Sequence, residues 1–220
     1  MAGSRVKPTA FGCDACGASL VKWFGQCPEC REWGSVRERE RSPGARVQPA
    51  LVPGSRSATP ITEAPLDHVV HLPTGIGELD RVLGGGIVPG AAILFSGEPG
   101  VGKSTLLLEL AARIAGTGAR VLYASAEESV SQVRLRAERT GALQPSLFLA
   151  SESDLATVLG HIEEVDPALV IVDSVQTVAS DTLDSLAGQP GQVREVASAL
   201  IRVAKTREVP VVLVGHVTKD

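Results

Sequence analysis

Residues 97–104, Gly97-Glu98-Pro99-Gly100-Val101-Gly102-Lys103-Ser104, satisfy the spacing G-x-x-x-x-G-K-[ST] at every fixed position. The glycines let backbone N–H groups close around a phosphate, and a following helix adds the partial positive charge of its N-terminus. The lysine reaches the outer phosphate oxygens, and the serine hydroxyl is a ligand for Mg²⁺. The sequence therefore predicts a nucleoside triphosphate site built from Gly97, Glu98, Pro99, Gly100, Val101, Gly102, Lys103, Ser104 and Thr105. Its flanks agree: residues 91–95 form a short apolar run of strand type, and Thr105-Leu106-Leu107-Leu108-Glu109-Leu110 continues as a helix.

The chain's 4 cysteines make a second candidate site. Cys13-x2-Cys16 and Cys27-x2-Cys30 supply two thiolate pairs on tight turns, the arrangement of a closed, structural, tetrahedral Zn²⁺ site. A redox dithiol and two disulfides are the competing readings. So short a module buries too little apolar surface to fold unaided, so the metal is expected to stabilise it, with Trp23, Phe24 and Trp33 capping a small core. Lys22, Arg31 and Arg37 either face a phosphate backbone or are solvated charges.

Two further apolar segments end in carboxylates, where the ligands of open α/β sheets bind. Ala168-Leu169-Val170-Ile171-Val172 runs into Asp173, which suits an aspartate holding Mg²⁺, usually through water; a helix cap is the alternative. Val121-Leu122-Tyr123-Ala124 leads to Ser125-Ala126-Glu127-Glu128. Glu127 is expected to polarise the water that attacks the terminal phosphate, with Glu128 second in line, or the two are a solvated acidic pair opening the next helix. Lys103 and Glu127 are thus the catalytic candidates, and Ser104 and Asp173 the magnesium ligands.

These side chains need a frame. Strand-like pieces at residues 91–95, 120–124, 147–150, 169–172 and 209–214 alternate with helical stretches at 104–116, 130–140, 154–165 and 192–207. That alternation predicts an α/β domain, a mainly parallel sheet with flanking helices, over residues 66–220. In the last helix Val193, Val196, Ala197, Leu200, Ile201 and Ala204 recur at helical spacing and should pack on the sheet. Residues 8–35 form the zinc module. Residues 36–65 turn to arginine and glutamate, then to Pro, Ser, Ala and Thr with Pro43, Pro49, Pro53 and Pro60, and read as a flexible linker.

With 220 residues, 44% of them hydrophobic, the chain can bury a sizeable core. Its net charge of −4 gives no general affinity for polyanions, so any such site must be local. The apolar runs fall well short of the ~20 residues that cross a bilayer, and the start Met1-Ala2-Gly3-Ser4-Arg5 lacks the apolar core of a signal peptide. A cytoplasmic protein with no membrane partner is expected.

Residues 74–90, Thr-Gly-Ile-Gly-Glu-Leu-Asp-Arg-Val-Leu-Gly-Gly-Gly-Ile-Val-Pro-Gly, lead into the phosphate loop and resemble the opening of RecA-like P-loop ATPases. With the cysteine module in front and Ala126-Glu127-Glu128-Ser129 behind, the chain from Cys13 to Lys219 is similar to the RadA (Sms) family of bacterial DNA-repair ATPases. The resemblance implies ATP as the nucleotide, Glu127 as catalytic glutamate, Asp173 as metal residue and His216 as a γ-phosphate sensor; an ordinary polar strand end is the plainer reading of His216. It implies a DNA-dependent ATPase of recombinational repair, processing branched intermediates by branch migration or helicase-like translocation on single-stranded DNA. The implied partners are single-stranded or branched DNA, a RecA-type recombinase and further copies of the chain in a hexameric ring. Residues 180–191 match a DNA-facing loop of the family, yet carry Asp181 and Asp184 and no Lys or Arg, so an unstructured surface loop is an equal reading. Arg194 and Arg202 are better phosphate ligands, unless they are solvated helix charges. Family members continue with a Lys-Asn-Arg-Phe-Gly motif and a Lon-protease-like domain, so the ATPase domain is expected to be incomplete at its C-terminal end. A RecA-like strand-exchange recombinase, against which the zinc module weighs, and a KaiC-like nucleotide-dependent switch using Glu127 and Glu128 are the alternatives.

Overall fold

The structure, a computed structural model, describes residues 10–20, 22–39, 58–63, 70–183 and 185–216. Most of the linker reading, with Pro43, Pro49 and Pro53, lies outside the described residues, as do Asp184 and residues 217–220. The chain divides into two compact units, Met1–Ala64 and Pro65–Asp220.

In the first unit β1 (Ala10–Cys13) pairs antiparallel with β2 (Ser19–Leu20) on one side and β3 (Val36–Arg39) on the other. Residues 36–39, which composition assigned to the linker, thus complete a sheet; Val36 is buried while Arg37 stays in solvent, an alternation that four residues reveal poorly. Cys13, Cys27 and Val36 form the core, with Phe11, Ala18, Leu20 and Phe24 against it. The expectation for the aromatics holds only for Phe24. Trp23 and Trp33 are 61% and 74% exposed, because the sulfurs occupy the centre of so small a module and leave no room for two indoles.

The second unit begins with α1 (Gly77–Val82), a helix of 6 residues absent from the sequence reading, too short to show a period, with Ile76, Leu79 and Leu83 packed partly buried against the core. There follow β4 (Ala92–Gly97), α2 (Lys103–Ala115), β5 (Val121–Ser125), α3 (Val130–Thr140), β6 (Leu147–Ser151), α4 (Leu155–Val165), β7 (Leu169–Asp173), α5 (Pro190–Arg207) and β8 (Val211–His216). The five strands make one parallel sheet in the order β4-β8-β7-β5-β6. This is the α/β architecture the alternating pattern predicted.

Alternate residues of β5, β7 and β8 supply two cores. Val121, Tyr123, Leu169 and Ile171 pack with Leu107, Leu108, Ala111, Val133 and Ala137 of α2 and α3. Leu122, Ala124, Val170 and Val172 pack with Val158 and Ile162 of α4 and Val196, Leu200 and Ala204 of α5. Helices therefore cover both faces, which is why every residue of β5 and β7 is buried and why these strands read as continuous apolar runs. Element ends follow local chemistry. Pro190 opens α5 at a position needing no N–H, Asp154 caps α4 by accepting the Thr157 N–H at 2.8 Å, and β8 starts after Pro210. Among the described residues no helix is long and apolar enough to cross a membrane.

Candidate functional site

Parallel registry sets the site. Gly97 pairs with His216 and Ser125 with Asp173, so the last residues of β4, β8, β5 and β7 share one edge of the sheet, and the loops leaving it enclose a cavity of about 460 Å³. Pro99, Gly100, Gly102, Lys103, Ser104 and Thr105 line one side; Glu127, Glu128, Arg136, Asp173 and His216 line the other. The predicted nucleotide, carboxylate and histidine positions are thereby brought together.

Gly100 and Gly102 take φ of 80° and 89°, the left-handed region that glycine enters without strain, and Gly102 is the N-cap of α2 with no side-chain cap. The first-turn amides of α2 are left for an anion. Lys103, only 6% exposed, donates to the carbonyls of Gly97 at 2.9 Å and Glu98 at 2.8 Å, which fixes the ammonium at the mouth of the loop. It also lies 3.4 Å from His216 Nδ1.

Glu127 is held by groups that no local pattern shows. Its Oε1 accepts the Ser174 hydroxyl at 2.5 Å and lies 3.1 Å from His216 Nε2. Partial burial works against ionisation, but the Ser174 and His216 contacts and the Lys103 charge outweigh it and hold the carboxyl below its ordinary value of 4.5. Glu128, the sequence's second candidate, is engaged elsewhere: its Oε2 accepts from the Arg136 guanidinium, and its N–H donates to Ser125 Oγ at 3.0 Å. Neither opens a helix as a solvated pair; Ser129 caps α3 with Gln132 in a reciprocal box. Asp173, 4% exposed, accepts the Tyr123 hydroxyl on Oδ2 at 2.6 Å and caps no helix, since α5 starts at Pro190. Burial first, then the Asp173 charge, pushes the Tyr123 phenol far above its ordinary range, so it remains a donor.

Sequence reasoning missed Ser174 as a ligand of Glu127, and missed Arg136, Tyr123 and Gln192 altogether. Tyr123 had a faint signal, one hydroxyl inside an otherwise aliphatic strand. Gln192, 1% exposed, donates to the carbonyls of Ser180 at 3.0 Å, Leu183 at 3.2 Å and Ser185 at 2.7 Å and accepts the Ser180 N–H at 2.9 Å. It ties Ser180, Leu183 and Ser185 to α5. Arg194 and Arg202 are both exposed on α5.

In the first unit the four sulfurs of Cys13, Cys16, Cys27 and Cys30 lie within 4.8 Å of one another, with Cys13–Cys30 at 3.7 Å and Cys16–Cys27 at 3.8 Å. A tetrahedron with Zn–S of about 2.3 Å has edges of about 3.8 Å, so the donor set fits Zn²⁺. All four are free thiols at separations far beyond an S–S bond, which removes the two-disulfide reading. Arg37, a candidate phosphate ligand, is instead paired with Asp14 at 3.0 Å, and the Lys22 ammonium sits 5.2 Å from the Phe24 ring centre.

Fold and site together define a P-loop α/β domain behind a four-cysteine zinc ribbon. The chain belongs to the AAA domain family, whose model matches residues 59–220, and residues 11–38 match the rubredoxin metal binding domain. Among its relatives is the DNA repair protein RadA of Mycolicibacterium smegmatis, 48% identical over 100% of this chain and 49% of its own length. Those of Mycobacterium tuberculosis and Bacillus subtilis are 49% and 42% identical, with 100% and 96% of this chain and 46% and 47% of their own lengths covered. The chain spans about half the length of the curated relatives it matches.

Proposed function

We propose that residues 66–220 bind and hydrolyse ATP, and that the complete protein is a cytoplasmic DNA-dependent ATPase of recombinational repair acting on single-stranded or branched DNA. The observation that carries the catalytic half is the placement of Glu127, anchored by Ser174 and His216, in the same cavity as Lys103 and the free N-terminus of α2. Residues 97–105 bind the triphosphate through backbone amides, and Lys103 neutralises charge on its outer oxygens. Ser104 and Asp173 are the residues that would hold Mg²⁺, which supplies further charge neutralisation when bound. With Oε1 committed, Glu127 keeps its second oxygen as proton acceptor. As the water oxygen bonds to the γ-phosphorus and the bond to the β-bridging oxygen breaks, the water's proton passes to that carboxylate. His216, in contact with Lys103 and Glu127, is the γ-phosphate sensor of this proposal, which those two contacts support.

The relatives' name supports the DNA-repair half; branch migration, a hexameric ring and a RecA-type partner belong to the same proposal. Glu128's engagement with Arg136 favours a single working carboxylate over the twin pair of a KaiC-like switch. Zn²⁺ in the ribbon would shape the first unit. The test is phosphate release from ATP with and without single-stranded DNA, repeated after zinc chelation. DNA stimulation that disappears on chelation is the expected result, and a folded protein that takes up no ATP overturns the reading.

A further inference from the structure

Tyr123 stands behind this cavity, bonded to Asp173 of its lining, in a place that no sequence motif assigns. Its ring lies in the core between the sheet and the helices α2 and α3, with no exposed surface, and is held there by packing. In the parallel registry of β5 and β7, Tyr123 stands opposite Ile171 and Ser125 opposite Asp173. Tyr123 and Asp173 are therefore one pleat repeat apart on the same face of adjacent strands. The phenol leans toward the carboxyl end of the neighbouring strand and delivers its hydroxyl to Asp173 Oδ2 at 2.6 Å. A phenylalanine would fill the same apolar volume and leave that oxygen bare.

We propose that Tyr123 is a positioning residue for the divalent cation of this cavity, its hydroxyl fixing the Asp173 carboxylate so that Oδ1 is turned to the metal. This rests on the reading of Asp173 as a magnesium residue given above. A carboxylate has two equivalent oxygens and a soft terminal torsion; anchoring one of them in a rigid core fixes both the plane and the direction of the other. The other charges that bear on the phenol, Arg136 and Glu128, are already paired with each other, so they do not compete for the hydroxyl. Outer-shell partners of this kind typically set metal affinity by 10–100-fold.

The test compares ATP affinity, by calorimetry, in magnesium and in magnesium-free buffer without chelator for the parent chain and for Tyr123→Phe. The parent should bind more tightly with magnesium. In Tyr123→Phe that magnesium-dependent gain should shrink by at least about tenfold while affinity without magnesium stays level, a split that a merely structural role would not produce. A variant that keeps the full gain, or loses affinity equally in both conditions, overturns the role of Tyr123. A parent chain whose ATP affinity ignores magnesium overturns the Asp173 reading, and this role with it. A second measurement leaves the fold untouched. Because the chain has 1 tyrosine, incorporated 3-fluorotyrosine gives a single ¹⁹F resonance at position 123. Manganese added with ADP should broaden that resonance, and a resonance left sharp overturns the placing of the cation at Asp173, and this role with it.

Discussion

Glu127→Gln separates chemistry from binding in this cavity. The amide keeps an oxygen that can accept the Ser174 hydroxyl, now 2.5 Å from Oε1, and can face His216 Nε2, now at 3.1 Å, so the network survives in outline. What disappears is the negative charge and the proton acceptor. A positioned general base contributes about 10²–10⁴ in rate, or roughly 3–5.5 kcal/mol of barrier at about 1.4 kcal/mol per tenfold. Folding should change far less: the side chain is 40% exposed, and its charge-assisted bond to Ser174 is worth at most about 1 kcal/mol there. ATP affinity should be nearly intact, since the Lys103 contacts to Gly97 and Glu98 are untouched. The assay is single-turnover phosphate release at saturating ATP beside equilibrium binding. Acid titration adds a second readout. The folded carboxyl lies below its ordinary value of 4.5, so the stability it contributes is present above that pH and is lost as pH falls through the folded value. The Gln variant should lack that component of acid unfolding. Parent-rate hydrolysis by a variant that binds ATP normally would refute the assignment of the base.

Two further outcomes test the frame around the site. Gly86 has φ of 138° and an added Cβ would lie 2.6 Å from the Leu72 carbonyl oxygen, in the bridge where Leu72 and Ile87 exchange 2.8 Å hydrogen bonds. Gly86→Ala should therefore cost more than about 1 kcal/mol and lower Tm by at least about 2 °C in calorimetry; an unchanged Tm would remove the steric argument. Chelation of the cysteine site should release one metal ion, make all four thiols titratable and abolish the amide protection of β1–β3, since metal binding worth about 10–16 kcal/mol underlies such small modules. Retained protection after metal loss would show that the Phe11, Phe24 and Val36 core suffices by itself.

What the sequence by itself determined was everything whose physics is local in the chain. The phosphate loop is a run of adjacent residues whose glycines and helix start act together; the two C-x-x-C turns each supply two thiols; the apolar runs of 169–172 and 121–124 read as strands. The packing partners were a different matter. Glu127 meets Ser174 and His216 at sequence separations of 47 and 89, Lys103 meets His216 at 113, and Tyr123 meets Asp173 at 50. Those meetings depend on the strand order β4-β8-β7-β5-β6 and its registry, which no periodicity encodes. The same holds for Glu128 and the two tryptophans. Whether a carboxylate is free or tied to Arg136, and whether an indole is buried or left in water, is decided by which surfaces the folded chain brings within contact distance.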